Sequence, residues 1–229
     1  MLLEVEGLRV GYGAVAVVED LNLRVERGQI VALLGPNGAG KTTTLLGVSG
    51  ALPVQGGEVR FKGKPVKDPL HRRARNGLGL ITEGRGIFKQ LSTRENLRVG
   101  GVETDSVLEM FPQLEARLDV KAGLLSGGEQ QMLAVGRALS RNAELLLIDE
   151  LSLGLAPLIV DGLLQVLRTT ADRGVGVLLV EQHVRKILEI ADFVYVLQRG
   201  RVITSGTAVE LRGRLEEIEA SYFAPAEEA

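Results

Sequence analysis

The 229-residue sequence predicts an α/β domain: a mainly parallel sheet, an antiparallel β region at the N-terminus, and a small helical subdomain inserted near the middle. Three observations carry that reading. Short β-branched apolar runs alternate with helix-like stretches over most of the length. The strand pattern stops between Ser92 and Leu124, where helical spacing replaces it. Strand and helix alternation then resumes and continues to about Thr204.

The elements follow in order. Leu2–Arg9, Leu21–Val25 and Gln29–Leu34 have strand character, with Glu26-Arg27-Gly28 as the turn between the last two. Lys41–Gly50 reads as a helix, then Glu58–Phe61 and Leu78–Ile81 as strands. Within the insert, Glu103–Phe111 places Val107, Leu108 and Phe111 on one helical face. Gln130–Ser140 is helical, Leu145–Asp149 a strand, Leu158–Arg173 a helix and Val175–Val180 a strand. Helix Val184–Ile190, strands Phe193–Leu197 and Arg201–Thr204, and a polar helical tail complete the chain. The expected organisation is a core in two parts, 1–91 and 125–223, an insert at 92–124 and a frayed tail at 224–229.

Composition excludes several chemistries. With no Cys, thiol nucleophiles, iron–sulfur clusters, Cys-based zinc sites and disulfides are impossible. The two His, His71 and His183, are too far apart in sequence to suggest a multi-His metal site. A net charge of −2 gives no pull toward nucleic acid or anionic lipid. No run approaches the 18 or so apolar residues of a membrane helix, and Glu4 and Glu6 do not suit a signal peptide. Glycine is in excess, 29 residues of 229, roughly twice its usual share.

Part of that excess lies in GPNGAGKT, Gly35 to Thr42, which leaves one strand and opens a helix. The spacing matches a phosphate-binding loop in its required setting and implies a P-loop NTPase core. Backbone N–H groups of Gly35, Pro36-Asn37-Gly38, Ala39 and Gly40, apart from the proline, and the helix start would solvate phosphates. Lys41 adds a point charge, the Thr42 hydroxyl would ligate Mg²⁺, and Thr43 lies beside it. The expected ligands are ATP and Mg²⁺. The run Leu145-Leu146-Leu147-Ile148-Asp149-Glu150 ends an apolar strand in two carboxylates, at the edge where open α/β sheets hold ligands. Asp149 is placed to hold Mg²⁺ through water, and Glu150 to polarise an attacking water.

Leu125-Ser126-Gly127-Gly128-Glu129-Gln130-Gln131 precedes another helix. Taken alone, Ser126 is either an N-cap or part of a second anion-binding helix start. The three motifs together, in this order, resemble the ATP-binding cassettes of ABC ATPases over nearly the whole chain. The resemblance implies head-to-tail pairing of two cassettes, with Ser126, Gly127, Gly128 and Glu129 closing on nucleotide held by the other chain. A second cassette, the same or different, would then be required. The resemblance also implies that Tyr12 stacks on adenine; the bland alternative is a half-buried aromatic.

Three positions depart from the family pattern. Glu83 stands where a metal-reaching Gln is usual. The segments Glu83-Gly84-Arg85 and Ser152-Leu153-Gly154-Leu155-Ala156-Pro157 resemble the cassettes of bacterial branched-chain amino acid importers. Leu151 replaces a Pro that would hold Glu150 extended, which frees the aim of that carboxylate. Two readings are open at the switch position, normally His: Gln182 or His183.

The resemblance therefore implies an ATP-hydrolysing importer subunit, peripheral on the cytoplasmic face of the cell membrane. Its partners would be integral membrane permease subunits and, indirectly, an extracytoplasmic substrate-binding protein, with no nucleic acid. Ile87 and Phe88 offer either a permease contact or core packing. The alternatives are an ATP-gated clamp and a soluble ABC ATPase uncoupled from transport. A GTPase would need an N-K-x-D motif, which is missing, and a P-loop kinase has no use for LSGGEQQ.

Overall fold

A computed structural model describes residues 1–140 and 142–221. Strands β1 (Leu3–Tyr12), β2 (Val15–Val25) and β3 (Ile30–Leu34) lead into helix α1 (Lys41–Ser49). Then come β4 (Val54–Phe61), the two-residue β5 (Lys64–Pro65), α2 (Leu70–Arg75) and β6 (Leu78–Ile81). Helices α3 (Thr93–Val99) and α4 (Thr104–Met110) and two 3-10 turns, Pro112–Arg117 and Ala122–Leu124, occupy the middle of the chain. After α5 (Gly127–Leu139) come β7 (Leu145–Asp149), α6 (Pro157–Asp172), β8 (Gly176–Glu181) and α7 (Val184–Ile190). Strands β9 (Phe193–Gln198) and β10 (Arg201–Thr207) and helices α8 (Ala208–Arg212) and α9 (Leu215–Ser221) end the described chain. The tail 224–229 lies outside the described residues.

Two sheets form among these residues, one ordered β2-β1-β4-β5 and antiparallel, the other β10-β9-β3-β8-β7-β6. The second is parallel from β9 to β6, with β10 antiparallel at its edge. The α/β class and the N-terminal antiparallel region are as expected. The hairpin strands run longer than the sequence pattern suggests, because Gly7 and Asp20 (φ 56 and 53) interrupt the alternation without ending the strands. The pairing shifts register there and continues. Helix α2 and strand β5 were not expected. The exposed, basic Leu70–Arg75 has no apolar periodicity, and the segment is held instead by buried Arg73. Its guanidinium donates to the carbonyls of Asp68 (2.6 Å), Val48 (2.6 Å) and Val66 (3.1 Å).

Every residue of β3, β7 and β8 is buried, since the parallel sheet is covered on both faces. Val31, Leu33, Leu145 and Leu147 face the antiparallel sheet and α1. Ala32, Leu34, Leu146 and Ile148 face the helical side. The register sets Leu34 beside Glu181 and Asp149 beside Val180, so the loops after β3, β7 and β8 open at one edge.

Candidate functional site

The loop after β3 is shaped by close approach as much as by phosphate chemistry. A Cβ on Gly35 would lie 2.2 Å from the Leu197 carbonyl oxygen. Gly40 has φ 102 and turns the chain directly into α1. Asn37 and Gly38 are exposed, Pro36 is half-buried, and Ala39 is buried, accepting from Gly200 N–H at 2.8 Å. Lys41 is buried, and its Nζ donates to the carbonyls of Gly35 (2.9 Å) and Pro36 (3.0 Å). Burial pushes its ammonium below the ordinary range, against the opposing pull of the Glu150, Asp149 and Glu181 charges. Thr43 is buried one residue beyond Thr42.

The Thr42 hydroxyl donates to Asp149 Oδ1 at 3.0 Å, joining the first and second motifs. Asp149 is buried, and burial is the main reason its carboxyl lies above the usual range. The Thr42 bond and Lys41 oppose that rise, while the Glu150 and Glu83 charges add to it. Glu83 is exposed on the turn after β6, and its charge acts on Asp149 from there. This is an all-oxygen set with excess negative charge, which suits a hard divalent cation. Among the described residues no three His, Cys, Asp or Glu side chains are grouped to hold a metal by themselves. Mg²⁺ bound by one or two protein groups plus phosphate fits both facts.

Glu150 has φ 48, in the left-handed region, and its N–H donates to Val180 O at 3.0 Å. Its Oε1 accepts from Gln182 Nε2 at 2.7 Å. Leu151 relaxes the backbone constraint that a Pro would set on Glu150, and Gln182 supplies a side-chain partner for the carboxylate. His183 is exposed at the start of α7, so of the two switch candidates the structure joins Gln182 to Glu150. Glu181, which the sequence reading left without a role, is buried and accepts from Ser152 N–H (2.8 Å) and Ser152 Oγ (2.9 Å). Burial raises its carboxyl above the usual range, opposed by bonds from Ser152 and Gln182 N–H and by His183. Its signal was in plain view: like Asp149, it is an acid ending an apolar strand.

Ser126 is an N-cap. Its Oγ accepts from Glu129 N–H at 3.3 Å, and Glu129 Oε2 accepts from Ser126 N–H at 2.8 Å. Arg117 Nε also donates to Glu129 at 2.8 Å. Burial favours the neutral acid, yet Arg117 and Ser126 together hold Glu129 below the usual carboxylate range. A Cβ on Gly128 would stand 2.8 Å from Ile159 Cγ2, so packing against α6 also demands that glycine. Among the described residues no hydrogen bond joins Ser126–Glu129 to Gly35–Thr42. Helix α5 packs on β6, α3, α4 and α6, whereas α1 packs on β1, β2, β7 and β8.

Tyr12 ends β1 with 55% of its surface exposed, on the strand pair that flanks the start of α1. Ile87 packs into the helical-side core, while Phe88 is exposed beneath the Arg137 guanidinium, 5.2 Å from its ring centroid. Among the described residues no helix is long and apolar enough to cross a membrane.

A family model for "ABC transporter" matches residues 18–152. The chain is 40% identical over 210 residues to the high-affinity branched-chain amino acid transport ATP-binding protein BraG of Pseudomonas aeruginosa, covering 87% of the chain and 90% of that protein. It is 34% identical to the lipopolysaccharide export system ATP-binding protein LptB of Escherichia coli K12, over 91% of the chain and 92% of the relative. The solved structure of an ATP-binding subunit of an ABC transporter superimposes with a TM-score of 0.85 at 30% identity, covering 98% of this chain and 100% of that one.

Proposed function

The chain belongs to the ABC transporter family as an ATP-hydrolysing, nucleotide-binding subunit, and from that premise we propose that it powers import of branched-chain or related amino acids. The observation that carries the substrate class is the 40% identity to BraG across nearly all of both chains. The Glu83-Gly84-Arg85 and Ser152–Pro157 segments support it. The 34% identity to LptB favours a second reading, lipopolysaccharide export.

The residues divide the work as follows. Lys41 and the amides of Gly35–Thr42 bind the triphosphate, while the exposed Tyr12 ring stacks on the base. Thr42 and Asp149, with Glu83 alongside, would hold Mg²⁺, which offsets phosphate charge when bound. Glu150 takes a proton from the attacking water as general base, and Gln182 fixes the carboxylate's direction. Ser126–Glu129 complete the site of a second cassette. The subunit sits on the cytoplasmic face of the membrane against separate permease subunits fed by a substrate-binding protein.

Purification with its membrane subunits, followed by reconstitution in vesicles, tests this reading. ATP-dependent leucine uptake is expected. ATP-dependent extraction of lipopolysaccharide without leucine uptake would replace it with the second reading.

A further inference from the structure

The turn after β6 reaches two places at once. At one end the Glu83 charge bears on Asp149. Two residues later Arg85 has a left-handed backbone (φ 60), closed by its N–H donating to Thr82 O at 2.7 Å. From there Arg85 Nε donates to Gln131 Oε1 and Nη1 to Gln130 Oε1, both at 2.8 Å. Adjacent helical residues point about 100° apart, so one guanidinium holding both amides fixes the helix in rotation and along its axis. The planar guanidinium delivers separate N–H groups, Nε and Nη1, to the two oxygens in a fixed geometry, which the single rotating point of an ammonium does not preset.

The grip lies directly under the signature. Gln130 Nε2 donates to the carbonyl of Leu125 at 3.1 Å, just before Ser126, and Gln131 is buried. A Cβ on Gly127 would lie 3.6 Å from Arg85 Nη2. Further along the same turn, Arg137 Nη1 donates to Gly86 O at 2.9 Å, and buried Asn96 exchanges hydrogen bonds with the Phe88 backbone. The segment from Arg85 to Phe88 is thus bolted to the helical side, on the same turn that carries Glu83.

We propose that Arg85 is a positioning residue: it seats Ser126–Gly128 through Gln130 and Gln131, so that the signature moves with the turn carrying Glu83. Arg85 touches no reacting group. Its effect falls on how readily two cassettes close together, not on how tightly one binds ATP. The inference rests on the paired-cassette reading above.

The test uses the full chain, with its partner cassette supplied where that cassette is a different one. ATPase activity is measured against cassette concentration, and ATP affinity separately, for Arg85→Ala, Arg85→Lys, the Gln130→Ala/Gln131→Ala pair and all three changes combined. Arg85→Ala is expected to raise the concentration of half-maximal activity about tenfold while ATP affinity stays within about twofold. Arg85→Lys should not restore it, and the combined variant should be no worse than Arg85→Ala, because the residues act as one unit. If the buried Gln131 change unfolds the chain, Gln130→Ala alone, combined with Arg85→Ala, serves the cycle. A wild-type curve that rises with an Arg85→Ala curve on top of it, additive losses, or an equal loss of ATP affinity overturns the inference alone. A flat wild-type curve overturns the paired-cassette reading and the inference with it.

Discussion

Replacing Leu151 by Pro should cripple hydrolysis while sparing ATP binding. A residue before proline is driven to extended backbone, but Glu150 sits at φ 48. Leu151→Pro therefore rotates Glu150 out of the conformation that points its carboxylate at Gln182, 2.7 Å away. Losing that charged hydrogen bond costs about 1.5–3 kcal/mol. Leu151 is also only 1% exposed, and the smaller ring forfeits part of the roughly 1.5–3 kcal/mol that burying a leucine contributes. Relief of the left-handed backbone returns about 1 kcal/mol. The net loss is about 2–4 kcal/mol, or roughly 5–15 °C in melting temperature for a domain of this size. With Glu150 as the proposed general base, displacing its carboxylate by an ångström or so should lower kcat about a hundredfold. ATP affinity should stay within about threefold, because Lys41 and its loop lie on other elements. Leu151→Ala is the control, emptying the core without constraining Glu150. It should melt lower by about 2–5 kcal/mol yet keep most of its kcat. Equal loss of kcat and affinity in Leu151→Pro, or equal kcat in the two variants, would refute the reasoning.

Three further outcomes are expected. Gly128→Ala drives a methyl to 2.8 Å from Ile159 Cγ2, so thermal melting should show a loss of about 1–3 kcal/mol; Ile159→Ala added to it should recover part. Tyr12→Ala should weaken ATP and GTP alike by roughly 1–3 kcal/mol in nucleotide titrations. Glu181 has a folded carboxyl above its unfolded value because it is buried, so the folded state binds the extra proton. Wild-type stability should therefore fall as pH rises from the ordinary glutamate value through the raised one, and Glu181→Gln should lack that component in denaturant melts at several pH values.

Much of this site was legible because it is local. Leu78–Ile81, Leu145–Asp149 and Val184–Ile190 fall where the apolar runs and spacing placed them. The phosphate loop needs only a strand, its glycines and a helix start in succession. What sequence could not show depends on distant partners. Arg73 shapes α2 through carbonyls of Val48 and Val66, and no periodicity announces such a contact. Helix α5 begins at Gly127, before the expected Gln130, because a capping box, not an apolar stripe, starts it. Gln182 meets Glu150 across 32 positions of chain. That meeting gives the carboxylate a partner that no local spacing announces. Glycines 35 and 128 looked like phosphate-facing backbone, yet Leu197 O and Ile159 also forbid a side chain there.

The central claim is that this chain carries the two halves of a nucleotide site on separate elements and needs a second cassette to complete one. Steady-state ATPase rate against protein concentration, alone and with any partner cassette, tests it most directly. At dilutions where free cassettes dominate, total rate should rise with the square of concentration and become linear once pairs saturate. Total rate strictly proportional to concentration over the whole range, unmoved by an added partner and with monomer mass throughout, would contradict it.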